Sequence, residues 1–247
     1  INRRGTVPPY KPDYLTNYEF GWKTAWIENR LHWNGAIFRE EWKDFQFSYL
    51  GANGLTEIRN ANQARVDGFE SELNWAATYN LAINGSMAFY DARLTADYCA
   101  LAPNGVLDPS CFDSLIANPG KPDFAAKGTR LPITPRFKGN LNARYSFDLA
   151  GGDAYWQATV THVGSRSTDL RELQSQRLGG LAAYTLLDLS AGFSKNGWSL
   201  DFFLKNATNE RAQLAKFSEC AAQVCGYQTY TVTTPPRTFG VRFSQDF

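Results

Sequence analysis

The residues best equipped for chemistry are few. Four cysteines lie in two close pairs, Cys99 with Cys111 and Cys220 with Cys225, each in a polar stretch between strand-like runs. Neither pair has the C-x-x-C spacing of a metal site, and the two histidines, His32 and His162, are far apart in sequence. Local pairing in loops suits an oxidising compartment, so the expectation is two disulfides, Cys99–Cys111 and Cys220–Cys225, with no metal and no cofactor. A hydrolase would need a base poised beside a nucleophile. His32 follows a turn with no Ser or Asp beside it in register, and His162 sits among apolar alternates, so each reads as an interfacial side chain.

The remaining polar chemistry is charge in regular spacing. Glu19 and Lys23, Glu70 and Glu72, and Arg136, Lys138 and Arg144 recur at even intervals, and Asp201 and Arg242 each stand between apolar neighbours on their own runs. A net charge of +1 gives no electrostatic case for nucleic acid.

The elements that place those charges alternate with period two. In 135–148, Phe137, Gly139, Leu141, Ala143, Tyr145 and Phe147 interleave with Arg136, Lys138, Asn140, Asn142, Arg144 and Ser146. Trp198, Leu200, Phe202 and Leu204 interleave with Ser199, Asp201, Phe203 and Lys205, and Phe239, Val241 and Phe243 with Gly240, Arg242 and Ser244. Comparable runs cover 17–27, 30–46, 62–78, 80–95, 153–165 and 182–194, about nine strands in all. Most reach the roughly 9–11 residues that a tilted membrane strand needs, whereas globular strands are usually about half that length. No apolar run is long enough for a transmembrane helix.

A soluble barrel or sandwich would need apolar residues on its inner face. Here the polar row suits a wet or plugged lumen and the apolar row suits lipid. Phe137, Leu141, Tyr145, Leu200, Phe202, Phe239 and Phe243 are expected to face lipid. Glu19, Lys23, Glu70, Glu72, Arg136, Lys138, Arg144, Asp201 and Arg242 are expected to face the lumen as candidate substrate contacts. Connections alternate between short (28–29, 78–79, 150–152, 195–197) and long (47–61, 96–133, 166–181, 212–236), the asymmetry of outer-membrane barrels. Both cysteine pairs then fall in extracellular loops. Aromatics make up 15% of the chain, and Trp26, Trp75, Tyr145, Phe147, Trp156, Phe193, Trp198 and Phe247 gather near the short turns or the terminus, as an aromatic belt requires.

Several stretches resemble the C-terminal half of TonB-dependent outer-membrane receptors: 17–24 (NYEFGWKT), 60–64 (NANQA) leading to 68–73 (GFESEL), 132–138 (PITPRFK), 205–210 (KNATNE) and 237–243 (RTFGVRF) before Phe247. The resemblance implies an all-β fold, a transmembrane antiparallel β-barrel wall that forms the last strands of a 22-stranded barrel. It implies that 1–247 is the C-terminal part of that barrel, with the plug domain and earlier strands upstream, and that Phe247 is read as an assembly signal. Implied partners are outer-membrane lipid, the TonB complex through the N-terminal part, a small-molecule nutrient such as a ferric siderophore, cobalamin or a saccharide, and a surface partner protein. A structural or adhesive barrel assembling with partner chains is the alternative, and an outer-membrane hydrolase a third. The start, Ile1-Asn2-Arg3-Arg4, has neither an initiator Met nor an apolar signal core, and fits a chain that begins mid-protein.

Overall fold

A computed structural model of the chain describes residues 10–50, 56–98, 124–218 and 228–246. The strands are β1 (Tyr14–Trp26), β2 (Leu31–Lys43), β3 (Gln46–Leu50), β4 (Thr56–Asn60), β5 (Gln63–Ala76), β6 (Leu81–Leu94), β7 (Phe137–Leu149), β8 (Gly152–Val163), β9 (Tyr184–Lys195), β10 (Trp198–Lys205), β11 (Gln213–Ser218), β12 (Thr229–Thr233) and β13 (Thr238–Gln245). One short helix, α1, spans Glu172–Leu178. Nine strands form one antiparallel sheet in the order β1-β2-β5-β6-β7-β8-β9-β10-β13, a meander in which consecutive long strands are neighbours. The sheet is open: among the described residues β1 pairs only with β2, and β13 only with β10.

Cross-strand register keeps the two rows on separate faces from one edge to the other. One line of opposed residues runs Phe20–Ile37–Phe69–Phe89–Phe137, and another runs Tyr145–Trp156–Ala191–Phe202–Val241. Their side chains stand in the open, Phe20 at 67% exposure, Trp156 at 62% and Val241 at 57%, where a soluble protein would cover them. On the opposite face a line runs Lys23–Asn34–Glu72–Ser86–Asn140–Thr161. A slip of one residue anywhere would exchange the faces of every strand beyond it, so the burial requirement fixes register throughout.

The short turns lie at one end of the sheet. Ala150-Gly151 and Asn196-Gly197 are two-residue hairpin turns with positive φ at both positions (50° and 75°, 51° and 79°), the type I′ geometry that matches strand twist. At the other end the structure departs from sequence expectation. The run expected over 30–46 breaks at Asp44 (φ 52°), and β3 and β4 form a separate hairpin within the stretch expected to be loop. Likewise α1 lies within 166–181, and β11 pairs with β12 within 212–236. These pieces are short and carry no long alternation, so periodicity had nothing to register.

They pack rather than trail. Phe45, Ala61, Ala64, Ala92, Leu94, Tyr98, Ala125, Leu131 and Leu170 form a buried cluster, with Trp42, Phe47 and Val66 against it. Trp42, Ala64, Val66, Ala92 and Leu94 belong to the otherwise polar row. On the outward row at the same height stand Arg39, Asp67, Arg65, Asp91 and Arg93. The polarity of the two faces therefore inverts at this end, where the otherwise polar row packs against the connecting segments. Arg166 ties the outer layer together: its backbone pairs with Leu181, and its Nη2 donates to the carbonyl of Gln213 at 3.1 Å. Arg171 pairs with Asp169 at 2.9 Å, and the Glu172 N–H donates to the Phe124 carbonyl.

Candidate functional site: the polar face of the sheet

Because side chains alternate, every second residue of the long strands is delivered to one face. Glu19, Lys23, Glu70, Glu72, Lys138, Arg144, Asp201 and Arg242 share that face by register. Arg136 sits in a bend just before β7, and its carbonyl accepts the Tyr90 N–H at 2.9 Å. Cys99, Cys111, Cys220, Cys225 and Phe247 lie outside the described residues.

Two groups form. In the first, the Tyr90 hydroxyl donates to Glu70, and the Lys138 ammonium stands 5.2 Å from the centre of the Tyr90 ring, so a tyrosine bridges an acid on β5 and a base on β7. Beside it Asn74 donates to Glu72 at 2.9 Å and Asn140 to Ser86 at 3.0 Å, and a recess of about 740 Å³ is lined by Asn34, Glu72, Asn74, Asn84, Lys138 and Asn140, among others. Glu19 accepts from Asn17 at 3.3 Å, and Lys23 lies opposite Asn34.

The second group lies near the short turns. Arg144 stacks its guanidinium 3.6 Å from the centre of the Tyr155 ring, and the Tyr155 hydroxyl donates to Asp201 Oδ1 at 2.8 Å. Asp201 is directly opposite Arg242. A recess of about 540 Å³ beside them includes Asn80, Asp148, Asp153 and Ser199 in its lining. Glu19, Glu70, Glu72, Lys138, Arg144 and Asp201 thus each meet an amide, a hydroxyl or an aromatic ring.

Sequence reasoning missed the aromatic residues in this row: Phe38, Tyr90 and Tyr155. Tyr155 lies flat over Gly192, where an added Cβ would stand 2.2 Å from the ring, and Phe38 covers Gly68 in the same way. The signal was a glycine directly across from an aromatic, which is legible only once register is known. Tyr155 was also masked by its neighbour Trp156, since adjacent aromatics leave parity ambiguous. His32 is on the polar face opposite Asn74. His162 is on the apolar face, its Nδ1 2.9 Å from Thr185 Oγ1. Among the described residues no group of three His, Cys, Asp or Glu side chains is placed to hold a metal ion.

The quoted stretch 205–210 also acquires a physical role. Asn206, buried with φ 49°, receives Glu210 N–H on its side-chain oxygen at 2.8 Å. Its amide donates to the carbonyls of Glu210 (2.9 Å) and Pro235 (2.8 Å), while its own N–H donates to Asp188 at 2.7 Å. One side chain therefore fastens the end of β10 to the approach to β13.

Comparison with known proteins is consistent with this architecture. The model of the TonB dependent receptor-like β-barrel family matches residues 2–207. The metal-pseudopaline receptor CntO of Pseudomonas aeruginosa is 27% identical over 187 residues, covering 74% of this chain and 22% of that protein. The probable TonB-dependent siderophore receptor PiuA of Acinetobacter baumannii is 26% identical over 153 residues, 62% of this chain and 20% of that one. The crystal structure of the ferric yersiniabactin uptake receptor FyuA from Yersinia pestis superposes with a TM-score of 0.68 at 17% identity, covering 95% of this chain and 30% of that one. The chain spans about a fifth of the length of the curated relatives it matches. With its exposed apolar face and its charged, hydrogen-bonded face, the chain belongs to the TonB-dependent receptor β-barrel family, the outer-membrane transport receptors of Gram-negative bacteria.

Proposed function

We propose that this chain is the C-terminal wall of a plugged barrel that imports a scarce, metal-chelating nutrient of the siderophore class, driven by TonB. The observation that carries the reading is the two-faced sheet, apolar and exposed on one side, charged and hydrogen-bonded on the other. A wide barrel with a wet or plugged interior accommodates that pair of faces. The open edges at β1 and β13 fit a wall completed by further strands, since unpaired backbone groups in hydrocarbon cost several kcal/mol each. The plug and the TonB-binding segment belong to the remainder of the receptor. Relatives named as metal-pseudopaline and siderophore receptors favour a metal chelate over a saccharide or cobalamin.

Uptake of radioactive iron or zinc presented on purified metallophores, by metal-starved cells with and without the full-length receptor, tests the proposal. Import that requires both the receptor and TonB is the expected result. Equal uptake in cells lacking the receptor, across the chelates offered, would remove the transport reading.

A further inference from the structure

Between the two charged groups of the polar face lies a band that carries almost no charge. One row across the sheet reads Asn34–Glu72–Ser86–Asn140–Thr161, and the next reads His32–Asn74–Asn84–Asn142–Thr159. The two rows hold a single carboxylate and neither Lys nor Arg. The neighbouring row toward the long connections is Ala36–Glu70–Ala88–Lys138–Val163, where Tyr90 joins Glu70 to Lys138. The neighbouring row toward the short turns holds Arg144, stacked on Tyr155.

Within the band, polar side chains bond to one another. Asn74 donates to Glu72 at 2.9 Å, Asn140 to Ser86 Oγ at 3.0 Å and Asn142 to Thr159 Oγ1 at 2.7 Å. Each bond uses one of the two N–H groups of its amide, and each amide also carries an accepting oxygen. The small side chains of Ala36 and Ser86 leave the band recessed. At about 740 Å³ the recess falls within the roughly 300–1,000 Å³ of small-molecule sites. A plug seated against this band could form an ion pair only through Glu72, so parting from it costs less than parting from the charged rows on either side. A route for a permeant must also bind it well enough to admit it and weakly enough, at several equivalent places, to release it. Interchangeable amides and hydroxyls meet both demands for a polar metal chelate, whereas a row of fixed charges would hold it.

We infer that this amide-lined recess of β2, β5, β6 and β7 is the stretch of wall along which the chelate passes through the lumen. The inference rests on the transport reading proposed above and adds to it a route.

The test is the kinetics of uptake, by metal-starved cells carrying full-length receptor, of a radioactive metal chelate that wild type imports. Ser86→Trp fills the recess and should lower the maximal rate about tenfold. Asn140→Leu keeps the side-chain size but removes its hydrogen bonding, and should lower the maximal rate about fivefold, the value of roughly one hydrogen bond. Neither should change the half-saturating concentration or the binding of chelate to cells lacking TonB. Asn140→Gln should import nearly as wild type, and so should Ser244→Trp, which crowds the same face at the far edge of the sheet. Heat-modifiable migration in gels reports whether each variant folds; Asn140→Leu decides the matter alone if Ser86→Trp does not. An unchanged maximal rate in Asn140→Leu overturns the inference, as does an equal loss in Ser244→Trp. Weakened chelate binding in Asn140→Leu overturns it by making the recess a docking site. Entry of vancomycin into cells carrying Ser86→Trp overturns it by showing that the plug seats on the recess. Absence of import by wild type, across the chelates offered, would instead remove the transport reading itself.

Discussion

At the residue scale, the two faces make opposite demands on substitution. Leu141 and Phe202 stand on the exposed apolar face, and an arginine at either should cost roughly 2–4 kcal/mol near the bilayer midplane, whereas Asn142→Arg on the opposite face should cost little. Urea titration of the full receptor refolded into lipid vesicles measures the difference. A second residue-scale outcome concerns Asn206. Asn206→Ala removes a buried side chain with three hydrogen bonds and leaves carbonyls unpaired, a loss of about 2–4 kcal/mol. It should appear in the same titration, together with increased proteolysis between 206 and 237. The faces were legible from alternation alone. The Asn206 network was not, because it joins residues that sequence spacing does not bring together. The disulfides Cys99–Cys111 and Cys220–Cys225 remain proposals, each expected to order its loop by about 2–3 kcal/mol. Peptide mapping of unreduced protein should recover each pair linked, and free thiols at these positions would contradict the pairing.

At the element scale, the long strands were legible because eight or more alternating residues outweigh local noise, and the errors fell at their outer ends. The run expected over 30–46 stops short of its end, because Asp44 takes a left-handed conformation and the chain turns into β3. There the inward row is apolar because it meets packed loops, so a rule calibrated on hydrocarbon and lumen stops applying. At the other end, Gly197 holds φ 79° and an added Cβ would stand 3.3 Å from the Asp246 carbonyl oxygen. Gly197→Ala should destabilise the β9–β10 hairpin by about 1 kcal/mol, read as faster exchange of its amide hydrogens. Gly192→Val has a different consequence: its Cβ would collide with the Tyr155 ring and with Asp201, so it should displace Tyr155 and release Arg144 from its stack. A crystal structure of that variant with Tyr155 unmoved would contradict the proposed close fit.

At the scale of the whole molecule, we propose that the exposed apolar face meets lipid and the charged face meets a water-containing lumen. Sequence pattern and register keep the apolar and polar rows on separate faces from β1 to β13, and the family relationship places the sheet in an outer membrane. The claim is tested most directly by a ketone-linked nitroxide placed at successive positions from 138 to 145 of β7, in full-length receptor in bilayers. Its collision rates with oxygen, which concentrates in lipid, and with a water-soluble nickel chelate are then recorded. The account predicts alternation with period two, oxygen favoured at 139, 141, 143 and 145 and the nickel chelate at 138, 140, 142 and 144. Uniform accessibility along the strand, or the same alternation in opposite phase, would contradict it.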